Sequence, residues 1–564
     1  VYIFQISILL VILTVCAVTL GRYMAKVFSG EKTLLSFLIR PVEKLFYRWA
    51  GIDEKKEMSW KEYAFLFIIF NVIGIVIVFL IQELQYLLPL NPQKFPPVRW
   101  DTAINTAISF VTNTNWQSYN CEQTMSYFTQ MTALTVQNFL SAAAGLGAAI
   151  AFFRGFARQS SSTIGNFWLD LTRSVLYILL PLALVFSIIL VSQGVIQNFK
   201  PYVHAGTLEG KEQLIAQGPA ASQIAIKILG TNGGGFFNAN SAHPYEDPNP
   251  LTDYLQILGF LVIAAALPFT FGKMLGKEKQ GWVFFTCMLI LYIFGLAIAL
   301  HYEFKGNPLL AKAGVVGGLN MEGKEVRNGI LSSVVFAQST TATSCGAVNC
   351  MHDSLLPITG MILFFNMAVG EVIFGGVGVG IIGLLQYAIL GMFLIGLMIG
   401  RTPEILGKKL EPFEMAMTML AIVLPSVFQL VLGAAAISSK ETLASLGNSG
   451  PHGLSEIIYA FASAAGNNGS AFAGLNANTV FYNLTLALTI LIGRFATILP
   501  ALAIAGSLAG KKMVPESARF PSTGLLFILM LVGVVIIVGG LTFFPVLVLG
   551  PFLEHLFLGI GKVF

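Results

Sequence analysis

Apolar residues gather along this chain in blocks at 1–20, 63–82, 128–153, 174–192, 254–272, 282–300, 415–438, 480–505 and 523–548. Each block is long enough for a membrane-spanning helix of about 20 residues. A further stretch, 355–400, is too long for one simple helix and is broken by Gly375, Gly376, Gly378 and Gly380. It predicts one span with an internal loop, which makes ten spans; two separate spans, making eleven, are the alternative. Four shorter apolar segments stand between the blocks: Asp101 to Val111, Pro219 to Leu229, Asn328 to Thr340 and Pro451 to Ala465. At about 1.5 Å per residue each reaches roughly halfway across a hydrocarbon core of about 30 Å. Asp101 and Asn328 are suited to cap helix starts, and Pro219 and Pro451 to a first turn.

Each half-length helix runs into a stretch rich in Gly, Asn or Thr: TNTNWQ (112–117), TNGGGFFN (231–238), TSCGAVN (343–349) and GNNGSAFAG (466–474). Irregular backbone survives inside a bilayer only where it lines a polar cavity. Its carbonyls are then free to replace the water around a dehydrated cation. With Asn115, Gly233, Gly346 and Gly469 as markers, the stretches recur at intervals of 118, 113 and 123 residues, the length of a helix, half-helix, loop, helix unit. Four such units surround one axis, with the negative ends of their half-helices aimed at the loops, and this favours a cation. Asn113, Thr114, Asn115, Thr231, Asn232, Gly233, Ser344, Cys345, Gly346, Asn467, Asn468 and Gly469 include no carboxylate, whereas magnesium and calcium sites recruit Asp or Glu. Neutral carbonyl dipoles suit a large monovalent ion, and glycine lets carbonyls turn toward the axis. The pattern predicts a potassium-selective filter.

Composition agrees with a membrane setting. Mean hydropathy is +0.76, and charged residues make up only 11%, against roughly 25% in soluble domains. Basic residues orient the spans, since cytoplasmic loops collect them. With the N-terminus outside, the inside loops hold Arg22, Lys26, Lys32, Arg40, Lys44, Arg48, Lys55, Lys56, Lys61, Arg154, Arg158, Arg173, Lys273, Lys277, Lys279, Arg401, Lys408, Lys409, Lys511, Lys512 and Arg519; the outside loops are poorer, with Lys94 and Arg99 in one and Lys440 alone in another. Ten spans put the C-terminus outside as well, and the net charge of +5 then follows from topology, without nucleic acid. The first apolar block lacks a basic start and an A-x-A site and is read as a retained span. Five cysteines without a C-x-x-C predict neither a disulfide framework nor a zinc site. At Cys345, within a filter stretch, the carbonyl is expected to matter more than the thiol.

Two ionisable residues stand inside apolar spans, where charge is costly unless it is paired or faces water. Glu371 and Arg494 lie below the filter in a functional reading, with Arg494 hindering straight exit; an ion pair between them, or with backbone, is the other. Gly375, Gly376 and Gly378 read as a flexible gate in preference to close helix packing. His352 and Asp353 shape the vestibule after the third loop, although the pair also leaves open a membrane-embedded hydrolase.

The segments SFVTNTNWQSY, ILGTNGGGFFNANSAHP, TSCGAV followed by MHDS, PHGLSEI, GNNGSAFAGL, LMIGRTPE with LGKK, and IAGSL together resemble the potassium-binding A subunit family of the Kdp potassium-transporting ATPases, nearly end to end. The resemblance implies an all-α integral membrane protein of about ten transmembrane helices. It has four pore-loop repeats around a pseudo-fourfold axis, in the potassium-channel and potassium-transporter superfamily. It further implies a filter at Asn113 to Asn115, Thr231 to Gly233, Ser344 to Gly346 and Asn467 to Gly469, with Gln117 beside it. In the first loop Thr112-Asn113 and Thr114-Asn115 offer two registers against Thr231-Asn232, and the first is preferred.

Neither G-x-x-x-x-G-K-[ST] nor the D-K-T-G of P-type pumps occurs, so ATP hydrolysis must come from a partner. By resemblance that partner is a P-type ATPase catalytic subunit, with a single-span C subunit and a very small membrane subunit completing the complex. The ion then passes sideways through an intersubunit tunnel. No cofactor beyond bound potassium is implied, and the setting is a bacterial inner membrane. A self-sufficient potassium channel or cation symporter is the alternative. The expected units are an N-terminal span and loop (1–62), pore repeats at 63–154, 155–276, 277–400 and 401–506, and a C-terminal span (507–564).

Overall fold

A computed structural model describes residues 2–315, 318–516 and 519–562. Among the described residues ten helices are long and apolar enough to cross a membrane: Tyr2–Phe28, Trp60–Glu83, Thr129–Ala157, Phe167–Ser192, Pro250–Met274, Glu278–Lys312, Val379–Met398, Pro412–Ile437, Val480–Gly510 and Leu525–Gly559. The 355–400 stretch resolves into a helix Pro357–Ala368, a loop, and the span Val379–Met398. The loop touches the third polar stretch through Glu371 and Ser344, so it lies at mid-membrane depth and the segment is one interrupted span.

Local chemistry sets the helix starts. Ser59 and Glu62 form a reciprocal capping box before the second span, Asn249 caps the fifth, and Glu411 with Glu414 closes the start of the eighth. Two small antiparallel hairpins, Val203–Gly206 with Glu212–Ile215 and Glu404–Ile405 with Lys408–Lys409, are the only strands among the described residues. The all-helical expectation passed over them because neither is longer than four residues per strand.

Burial separates centre from periphery. The third and fifth spans are each 83% buried along their apolar windows, whereas the first is 17% and the eighth and tenth 22%, so the latter offer their side chains to lipid or partners. The two ends of the bundle differ in chemistry. At one end Arg99 meets Asn478, just before the span Val480–Gly510, and the half-helices begin there. We call this the mouth face. At the other end of that span Lys511 pairs with Glu411 and Glu414, Lys408 donates to the carbonyls of Arg158 and Lys511, and Arg158 pairs with Glu57. This is the basic face.

Candidate ion-binding site

Four half-helices, Trp100–Val111, Ala220–Leu229, Gly329–Ala342 and Gly450–Ala465, carry the four polar loops. Their starts are not capped as expected. Asn328 takes a helical conformation and makes no side-chain cap, and Asp101 lies inside the first turn, where it binds Arg99 and Asn483 instead. Pro219 precedes its helix at the cap position, and Pro451 does occupy the first turn.

Past each helix end the backbone repeats one conformation four times. Asn113, Thr231, Ser344 and Asn467 all have positive φ, at 70°, 49°, 55° and 51°, which is costly for Thr and Ser. The next residue then donates its N–H to the carbonyl five positions back: Thr114 to Ser109 (2.9 Å), Asn232 to Lys227 (2.8 Å), Cys345 to Thr340 (3.0 Å) and Asn468 to Ser463 (2.9 Å). Asn113 therefore corresponds to Thr231, and Thr114 to Asn232. The preferred sequence register, Thr112 against Thr231, is off by one residue. The repeated TN in TNTN misleads because backbone conformation, not residue identity, sets the correspondence.

Hydrogen bonds close the loops into a ring in chain order. Asn113 Nδ2 donates to the carbonyls of Gly230 (3.1 Å) and Thr231 (3.2 Å). Gly346 N–H donates to Asn232 O (3.3 Å). Ser344 Oγ lies within hydrogen-bond distance of the carbonyls of Gly466 (3.0 Å) and Asn467 (3.1 Å), which compete with Glu371 for its single proton, and Asn467 Nδ2 donates to Thr114 Oγ1 (2.9 Å). At the third tier the loops approach backbone to backbone: a Cβ on Gly233 would strike the N–H groups of Gly346 and Ala347, and one on Gly469 would strike Thr114 O. Among the described residues the carbonyls of Asn113, Thr114, Ser344 and Asn468 accept no hydrogen bond from the chain. The Cys345 carbonyl does accept one, from the Thr340 hydroxyl. Gln117 braces the ring from the mouth side, its Oε1 accepting from Gly235 N (2.9 Å) and its Nε2 donating to Gly235 O (3.2 Å).

At the opposite end of the ring lies the glycine-rich loop. Glu371 is buried, with φ of 61°, and accepts from Ser344 Oγ; Val377 N–H donates to Thr231 Oγ1 (2.9 Å). The loop is closely packed: a Cβ on Gly378 would meet the Gly145 carbonyl, one on Gly375 the Glu371 carbonyl and Gly380, and one on Gly376 would press on Glu371 and Ser344. Arg494 is buried and donates to Ser141 O (2.8 Å). Glu371 and Arg494 form no ion pair among the described residues, and of the two bonding schemes weighed for Arg494 the contact with backbone is the one present. A cavity of about 40 Å³ opens beside Glu371, lined by Gln386, Ser426, Gln429, Asn467 and Thr497.

His352 and Asp353 do not act together. His352 is fully buried against Tyr459 (2.7 Å), while Asp353 binds His452 (2.8 Å). All five cysteines are free thiols. Lys227 escaped the sequence reading. It sits in the second half-helix with no exposure, pairs with the equally buried Glu246 and donates to Asn240 (2.6 Å), whose Nδ2 holds Gly233 O (2.6 Å). A lysine inside AASQIAIKIL, one turn before the second polar loop, was the available signal.

The chain matches the family model described as potassium-transporting ATPase A subunit over residues 7–556. It is 54% identical to a potassium-transporting ATPase potassium-binding subunit of Herpetosiphon aurantiacus, covering 99% of both chains. It is 52% identical to the protein of the same description in Solibacter usitatus, covering 100% of this chain and 99% of that one. In fold it is similar to the potassium transporter TrkH of Vibrio parahaemolyticus, with a TM-score of 0.54 at 13% identity, covering 86% of this chain and 97% of that structure.

Proposed function

This chain belongs to the potassium-transporting ATPase A subunit family, and on that footing we propose that it selects external potassium in a filter of backbone carbonyls and hands it to an ATP-hydrolysing partner. The observation that carries this reading is the ring of four loops, strained alike at Asn113, Thr231, Ser344 and Asn467 and linked from each repeat to the next. The filter comprises those residues with Thr114, Asn232, Cys345 and Asn468 in the second tier and Asn115, Gly233, Gly346 and Gly469 in the third. Neutral carbonyls at matched heights replace a hydration shell without a carboxylate that would hold a divalent ion.

The glycine-rich loop lies under the ring and obstructs a straight path, which separates this subunit from an open channel. The cavity beside Glu371, to which Gln386, Ser426 and Gln429 contribute polar groups, supports a sideways exit toward a P-type ATPase catalytic subunit. A single-span C subunit and a very small membrane subunit complete the complex. The basic face is cytoplasmic in a bacterial inner membrane, by the concentration of Lys and Arg there, and the mouth face and both termini lie outside.

The test is potassium-stimulated ATP hydrolysis by the assembled complex, comparing native chain, Gly233→Ala and Gly233→Asp. Both variants add a Cβ where the Gly346 backbone lies, so the alanine isolates the steric cost. The half-stimulating potassium concentration is expected to rise in both, and by at least about tenfold more for aspartate, equivalent to about 1.4 kcal/mol. Native potassium dependence in both variants would remove the second loop from the filter.

A further inference from the structure

The segment between the first two spans is not a simple loop. Ser36–Ala50 forms a helix, and at 100° per residue its side chains fall into three sectors. Ile39, Glu43 and Tyr47 face the protein. Arg40, Lys44 and Arg48 form a single exposed row at four-residue intervals. Leu38, Val42, Leu45, Phe46 and Trp49 fill the remaining sector and are uncovered, with Leu45 66% and Trp49 84% exposed. Such a broad apolar face beside a basic row is the composition of helices that lie in the headgroup region rather than in water.

Its height along the bundle agrees. Glu43 accepts from Arg173 Nε (3.0 Å) and Tyr177 Oη (2.8 Å), residues six and ten positions inside the span Phe167–Ser192, about 9–15 Å along it at about 1.5 Å per residue. Tyr23 of the first span donates to the carbonyl of the same Tyr177 (3.0 Å). The helix is thus clamped beside the ends of two spans, with membrane crossings on either side of it in sequence.

We propose that Ser36–Ala50 is an interfacial helix that buries Leu38, Leu45 and Trp49 in the lipid of the basic-face leaflet and binds anionic headgroups through Arg40, Lys44 and Arg48. The occupant is lipid rather than protein because the helix lies between two membrane spans in sequence and is clamped to a third, and the exposed charges on the helix itself, Arg40, Lys44 and Arg48, are all basic, matching an anionic leaflet. Glu43, the acidic residue within the helix, is turned inward and spent on Arg173.

The experiment uses the full chain in nanodiscs of phosphatidylcholine with or without phosphatidylglycerol. A nitroxide on Leu45→Cys is read for collisions with oxygen against a water-soluble nickel chelate, the unsubstituted chain supplying the background from native thiols. Oxygen contact exceeding nickel contact is expected. Free access of nickel would show a solvated helix, and exclusion of both probes would show a protein cover; either overturns the proposal. For the headgroups, quenching attributable to Trp49, taken as the difference from Trp49→Phe, is compared between brominated phosphatidylglycerol and brominated phosphatidylcholine. A preference for the anionic lipid of about twofold is expected, abolished in the Arg40→Gln, Lys44→Gln, Arg48→Gln triple variant. Equal quenching in the native chain would overturn the anionic specificity.

Discussion

Glu371 accepts a hydrogen bond from Ser344, and this joins the loop that interrupts a membrane span to the third polar loop at its left-handed residue. Ser344 also holds the carbonyls of Gly466 and Asn467 in the fourth loop. One hydroxyl, its single proton shared among these acceptors, therefore stands where two polar loops and the glycine-rich loop meet.

Removing that tie is expected to let ions through without ATP. In vesicles containing the assembled complex, Glu371→Ala should raise passive potassium efflux by about tenfold, the factor for lowering a barrier by about 1.4 kcal/mol. Glu371→Gln keeps an acceptor for Ser344 and should leak far less. Efflux from the alanine variant at the native rate would show that the loop does not gate the path.

Lys227 and Glu246 are both fully buried and paired, and Glu246 also receives the N–H groups of Phe236 (2.6 Å) and Phe237 (2.9 Å). Lys227→Met leaves a carboxylate buried without its counter-charge, at a cost of about 3–5 kcal/mol. Thermal unfolding in detergent should show the loss, and adding Glu246→Gln should recover most of it. A single variant as stable as the native chain would mean that water reaches the site.

His452, at the mouth face and outside the spans, is held between Asp353 and Glu554 at 2.8 Å each. Burial pulls its imidazole down, but the two carboxylates outweigh this and hold it at about 10, above its ordinary 6.5. A group raised on folding stabilises fully below its unfolded value and loses that contribution as pH climbs through the folded one. The unfolding temperature should therefore fall as pH rises from 6.5 to about 10, and His452→Gln should flatten this fall. Parallel profiles for the two chains would refute the clamp.

Spans and half-helices were legible because hydropathy reports burial in lipid directly, and the four loops because they repeat at near-constant spacing. The first-loop register was not, since TNTN supports two alignments, Asn113 and Asn115 are both left-handed, and the bond from Thr114 N–H to Ser109 O is what separates them. Lys227 looked like any helix lysine until Glu246, nineteen residues on, folded back over it. The helix Ser36–Ala50 is shorter than a span, and in the sequence its basic residues mark topology and nothing more. Likewise the glycines at 375 and 378 suggested freedom, whereas the fold uses them where backbones touch.

Gln117 gives the most direct test of the ring from its mouth side. Its amide both accepts from and donates to Gly235, so it positions the second loop at a backbone that bears no side chain of its own. The two bonds are worth about 0.5–1.5 kcal/mol each, and Gln117 is only half-buried, so losing them should disturb the loop more than the fold. Gln117→Leu is expected to raise the half-stimulating potassium concentration by about tenfold, while unfolding shifts by no more than about 1–3 kcal/mol, the worth of the two bonds. Gln117→Asn, one methylene short of Gly235, should behave like leucine, because the clamp depends on reach and not on polarity. Should asparagine retain native affinity where leucine does not, Gln117 would be contacting the ion or its water and not bracing Gly235.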